Sequence, residues 1–167
     1  MSHVARNGPV MLAGTAMEAP FPGTARPVLI VAADVRLDNR AEIEAGLGLP
    51  PCPHLPDASL IAALYDRHGP DCTAYLLGDF AFLLWDEKER MLFGARDHFG
   101  VRPFYYHSTP GLFMAATTIG TLLQSGISPA IDDVGMADFV AGAVADTSGT
   151  LYRHCLLYTS PSPRDQR

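Results

Sequence analysis

Cysteine is scarce in this chain: 167 residues hold three, Cys52, Cys72 and Cys155, an odd number lying far apart. That excludes a disulfide-stapled scaffold, and the spacing matches no zinc ribbon or finger. A reducing cytoplasm is the expected setting. His68, His98 and His107 show no HxxxH or HxH spacing, so no metal site is expected. Positive charge is short as well. Twelve Lys and Arg face 18 Asp and Glu, for a net charge of -6 and a pI near 5.4. Nucleic acid as a partner is excluded, because phosphate binding needs a basic surface. No apolar run reaches the roughly 20 residues of a membrane span, and the opening MSHVARNGPV lacks the apolar core of a signal peptide. Internal repeats and low-complexity domains are absent too.

What is present is enough for a core: 48% of residues are hydrophobic, in a chain of single-domain length. Val28 to Ala33 is a short apolar run after Pro27 and predicts a buried strand, continued by Val35 and Leu37. Asn39 then stands as a helix N-cap with Glu42 three residues on, the spacing of a capping box, and Gly48 with Pro50 and Pro51 stops that helix. After a proline-rich surface loop, Asp57 is expected to cap a second helix carrying Leu60, Ile61 and Leu64, ended by Gly69 and Pro70.

The most informative stretch is residues 75–106, YLLGDFAFLLWDEKERMLFGARDHFGVRPFYY. Phe80, Phe82 and Leu84 alternate with Ala81, Leu83 and Trp85, so the strand is apolar on both faces and needs cover on both. Residues 86–90 form a polar turn, Met91 to Ala95 run back as a second strand, and Phe104-Tyr105-Tyr106 begins a third. Asp79, after Gly78, is expected to hold backbone amides at the strand start. Leu112 to Ala116 predict a further strand, Ile119 to Leu123 a short helix, and Asp132-Asp133 the start of a last helix through Met136, Phe139 and Val140. Strand pairs with helices outside them predict an α+β arrangement.

From Gly78 to Tyr106 the order of residues resembles the glutaminase-type (class II glutamine amidotransferase) domain at the front of asparagine synthetases, whose pattern runs GxFAFxLWD, a hairpin, then ARDxxGxxPLYY. The resemblance implies an Ntn-hydrolase-type αββα sandwich of two antiparallel sheets. It also implies a domain over residues 1–154. Beyond it, residues 155–167 look like translated adapter sequence and are expected to be a non-native or disordered tail.

Members of that family split the glutamine side-chain amide with an N-terminal cysteine whose own amine is the base. Here residue 2 is Ser2 and the MCGIxG opening has no counterpart, so no catalytic nucleophile is expected. Carried over by resemblance, the arginine that grips the substrate α-carboxylate falls at Thr15. The Asn-Gly oxyanion donor falls at Asp34-Val35, and the α-amine ligand at Asp97. An ionised aspartate has no N–H to donate and would repel an oxyanion. The resemblance therefore implies a domain degenerate in glutaminase activity. The segment ADVRLDNR (residues 33–40) is similar to the branch that includes lasso-peptide cyclases. These, like β-lactam synthetase, use ATP to activate a carboxylate for an amine already on the substrate, and need no ammonia.

No SGGxDS pyrophosphate loop occurs in the chain. ATP and Mg²⁺ are accordingly expected in a C-terminal synthetase domain of the same polypeptide, the expected partner, with glutamine as a small-molecule partner and a homodimer left open. The alternative from another class is a non-catalytic docking module for a synthetase domain. A third is a cysteine hydrolase using Cys52 or Cys72 with His54 or His68.

Overall fold

The computed structural model describes residues 3–7, 10–14, 16–18, 29–143 and 148–158, with backbone alone for those before residue 29. The chain divides into two compact units, Met1–Asp97 and His98–Arg167.

In the first unit, β1 (His3–Asn7) and β2 (Val10–Gly14) pair as an antiparallel ribbon that sequence reading did not foresee. A four-stranded antiparallel sheet follows the order β3 (Ala16–Glu18), β4 (Leu29–Leu37), β5 (Gly78–Asp86), β6 (Met91–Arg96). Two helices lie on one face, α1 (Arg40–Leu47) and α2 (Asp57–His68), followed by a 3-10 turn over Gly69–Tyr75. Val31, Ala33, Phe80, Phe82, Leu84 and Ala95 from that face join Ile43, Leu60, Ile61, Leu64 and Tyr65 in the main core. The opposite face holds a smaller cluster, Ile30 and Trp85 with Ala32, Leu83 and Leu92 beside them. The two-sided apolarity of β5 thus corresponds to two separate clusters.

Two capping expectations are corrected. Asn39 makes no side-chain cap on α1. Its carboxamide reaches across instead, donating to the Tyr75 carbonyl (3.0 Å) and accepting from the Leu77 amide (3.1 Å). Pro56, and not Asp57, is the N-cap residue of α2, and the Asp57 carboxylate accepts the Leu37 amide at 2.8 Å. In both places a long-range backbone partner outcompetes the local one. Gly48, at φ 73°, closes α1, with the Leu49 amide reaching back to the Glu44 carbonyl at 2.8 Å.

The second unit contains β7 (Tyr105–Thr109) between β8 (Leu112–Ala116) and β9 (Leu156–Leu157), all antiparallel, with α3 (Ile119–Gln124) and α4 (Asp133–Ala141). Its core is small: Leu122, Ile127 and Cys155. The boundary expected after His154 falls inside this unit. Cys155 is fully buried, Leu156 and Leu157 pair with Tyr106 and Tyr105, and the Tyr158 ring lies 5.5 Å from Phe104. Residues 159–167 lie outside the described residues. The α+β class and its antiparallel sheets are as expected.

Candidate functional site

The candidate residues converge on one end of the four-stranded sheet. Asp34 stands opposite Ala81, which stands opposite Arg96, and Arg36 stands opposite Asp79. Residues directly opposite share a face, and alternate residues along a strand do too. Asp34, Arg36, Asp79 and Arg96 therefore project from the same side, the one away from α1 and α2. Arg36 holds its neighbours by ion pairs, Nη2 to Asp79 Oδ2 at 3.3 Å and Nε to Asp38 Oδ1 at 3.4 Å. Asp79 is thus a strand residue paired with a guanidinium rather than the turn residue expected.

Gly78 makes this end possible. Its φ is 143°, and a Cβ built on it would sit 2.1 Å from the Arg36 carbonyl oxygen. No other residue lets β5 come this close to β4 at Arg36.

Asp97 continues the register of β6 opposite Phe80, on the helix-covered face, and is 3% exposed. Its amide donates to the Phe80 carbonyl (2.8 Å) and its Oδ2 accepts the Phe80 amide (3.4 Å). Asp34 and Asp97, linked to one substrate by resemblance, belong to opposite faces. Thr15, the third carried-over position, lies outside the described residues.

Sequence reading missed Arg40. A cation in the first turn of a helix opposes the helix dipole, and that oddity was the available signal of a fixed anionic partner. Arg40 Nη1 pairs with the Asp57 carboxylate. Its Nη2 donates to the carbonyls of Cys52 (3.1 Å) and Leu55 (2.8 Å) and pairs with Glu44 Oε1 (3.3 Å). One guanidinium thus ties α1, the proline-rich loop and the start of α2 together. Asp57 links this cluster to the end of β4, three residues from Asp34.

Neither Cys72 nor Cys155 is an activated thiol. Cys72 is fully buried, and burial, with Asp71 beside it, pushes its thiol up to about 12. Burial raises the Cys155 thiol as well. A Cys72-based hydrolase has the wrong electrostatics, since a nucleophilic cysteine needs a lowered pKa. Among the described residues no group of His, Cys, Asp or Glu could hold a metal ion. A groove of about 540 Å³ lies elsewhere in the first unit, among Asn39, Ile43, Leu47, Leu64, His68 and Leu76, away from Asp34 and Asp97.

The glutamine amidotransferase domain family matches residues 51–159, which include Gly78, Asp79, Arg96 and Asp97, and the chain is a member of it. The resemblance to the N-terminal amidotransferase domain of asparagine synthetases is borne out by the curated relatives. Glutamine-hydrolysing asparagine synthetase 3 of Bacillus subtilis is 34% identical over 95 residues, 56% of this chain and 16% of that protein. The amidase chyE of Penicillium rubens is 37% identical over 73 residues, 44% of this chain and 11% of that protein. Among solved structures, the glutamine phosphoribosylpyrophosphate amidotransferase of B. subtilis, complexed with ADP and GMP, aligns at 18% identity with a TM-score of 0.45. It covers 61% of this chain and 24% of that one. The chain spans less than a fifth of the length of these curated relatives. Among the described residues no helix is long and apolar enough to cross a membrane.

Proposed function

We propose that this chain is an amidotransferase-like domain that no longer handles glutamine and serves as the scaffold for an ATP-dependent, amide-forming synthetase domain. The observation that carries the reading is the charged row at the sheet end. Where the resemblance puts a neutral amide donor stands Asp34, on one face with the Arg36–Asp79 ion pair. A carboxylate there repels the charge that develops on a tetrahedral oxyanion, and losing a single oxyanion donor costs about 10²–10³ in rate. Asp97 supports the same reading. It is 3% exposed and lies on the helix-covered face, the opposite one from Asp34, so the two carried-over positions do not face one substrate.

In this reading ATP and Mg²⁺ belong to the synthetase domain, and the amine that attacks the activated carboxylate comes from the substrate itself. The resemblance of the ADVRLDNR segment favours that route over ammonia transfer. Three free thiols suit a reducing cytoplasm.

Two measurements test it. Isothermal titration with L-glutamine is expected to give no binding heat at millimolar ligand, a result that does not depend on any nucleophile. An assay for ammonia release from glutamine is expected to stay at background. Saturable glutamine binding weakened by Asp97→Asn, or ammonia release that a thiol alkylator abolishes, would overturn the reading.

A further inference from the structure

Helix α4 contradicts its own composition. Val134, Met136, Ala137, Phe139, Val140 and Ala141 spread around its circumference, yet the helix buries none of its residues. Val134, Phe139 and Val140 are 71%, 69% and 78% exposed. A helix that is apolar all round belongs in an interior, and nine residues are too few to form a stable helix unaided.

Backbone chemistry is what holds it. Asp132 Oδ1 accepts the Gly135 amide at 2.8 Å, and Gly142 ends the helix at φ 67°, with the Ala143 amide donating to the Asp138 carbonyl at 2.9 Å. The Asp132 amide donates to the Leu151 carbonyl at 3.0 Å, and a Cβ on Gly135 would lie 3.1 Å from the Thr150 carbonyl oxygen. The helix is capped at both ends and fastened at its start, while Val134, Phe139 and Val140 stay exposed.

We infer that the Val134–Phe139–Val140 surface of α4 is the seat of the synthetase polypeptide, engaged through an apolar patch rimmed by arginine or lysine. This rests on the scaffold reading above and specifies where the partner sits. Two observations select the occupant. The charged residues of the helix are Asp133, paired with Arg153 at 3.1 Å, and Asp138, so an arginine or lysine on the partner is complementary to Asp138, and a second copy of α4 would bring two Asp138 carboxylates together. The relatives named asparagine synthetases also carry most of their length outside the stretch this chain matches, so a large polypeptide accompanies this domain in them.

The test uses the full chain and, as probe, the separately expressed C-terminal half of asparagine synthetase 3 of B. subtilis. Titration calorimetry is expected to show binding that weakens with added sodium chloride and falls at least tenfold in the double variant Phe139→Asp, Val140→Asp. Leu77→Asp, an equally exposed apolar position in the other unit (63% exposed), should leave it unchanged. All three positions are exposed, so the variants should keep the wild-type far-UV spectrum and melting curve. Equal binding by wild type and double variant would overturn the α4 assignment and leave the scaffold reading standing. No binding of wild type at micromolar concentration would overturn both. Wild-type dimerisation that the double variant abolishes would replace the synthetase by a second copy and overturn the choice of occupant.

Discussion

The two units of this chain solve the same problem differently. Unit Met1–Asp97 packs one face of a four-stranded sheet with two helices, and Tyr65, Phe82, Leu60, Ile61 and Leu84 are almost fully enclosed. Unit His98–Arg167 encloses Phe104, Leu122, Ile127 and Cys155 and leaves Phe99, Val134, Phe139 and Val140 more than two-thirds exposed. The first draws its stability from burial, the second largely from caps, turns and short ladders. Regular secondary structure is therefore weak evidence that an element has found its packing partner.

The largest expected effect separates the two cases. Phe82, 1% exposed with ring contacts to Phe80 and Phe93 at 5.9 and 6.0 Å, should lose about 3–5 kcal/mol on Phe82→Ala, from lost transfer energy and the cavity left behind. Phe139→Ala in α4 should stay within about 0.5 kcal/mol, as at other exposed positions. Urea denaturation of both variants measures the difference. Comparable losses would mean that α4 is packed, and the contrast between the units would fail.

Arg40→Ala is expected to cost about 2–4 kcal/mol, because it strands the Asp57 and Glu44 carboxylates and frees two loop carbonyls at once. Arg40→Lys should recover only part of it, since an ammonium cannot reproduce the planar fork. Limited proteolysis should then cut within residues 49–56. Full resistance to cleavage would show that the guanidinium does not hold that loop.

How far these features were legible follows from the range of the interactions. β4, β5 and β6 were readable because alternation and turn residues are local signals, and the hairpin from Gly78 to Arg96 folds on itself. Asn39 was misjudged because the capping box competes with Tyr75 and Leu77, 36 and 38 residues away. Asp79 was misjudged because its partner Arg36 lies on the neighbouring strand. The hydrophobic pattern marked α4 as a helix and gave no warning that its apolar residues would be exposed. Asp34 could be placed on β4 from sequence, but only strand register shows it on the opposite face from Asp97.

A smaller effect probes the second unit's dependence on caps. Asp132→Ala removes the bond to the Gly135 amide and should cost about 1 kcal/mol. Hydrogen exchange should speed up in the first turn of α4 and leave β4 and β5 unchanged. Faster exchange in those strands would show that the two units unfold together.

The smallest effect near neutral pH concerns the thiols. The Cys72 pKa is pushed from 9.0 in an exposed thiol to about 12 in the folded chain, chiefly by burial. The native state then keeps a proton that the unfolded state gives up. Below pH 9 both states are protonated and the group has no influence on stability. As pH rises from about 9 towards 12 the unfolded state ionises first, so stability should fall across that window. Cys72→Ala should flatten this slope, at the cost of a small cavity. With a disulfide reagent at pH 8, the half-buried Cys52 should react while Cys72 and Cys155 stay silent until denaturant is added. Rapid native labelling of Cys155 would mean that the core of the second unit opens readily. It would then be stabilised even less by burial than its few enclosed residues suggest.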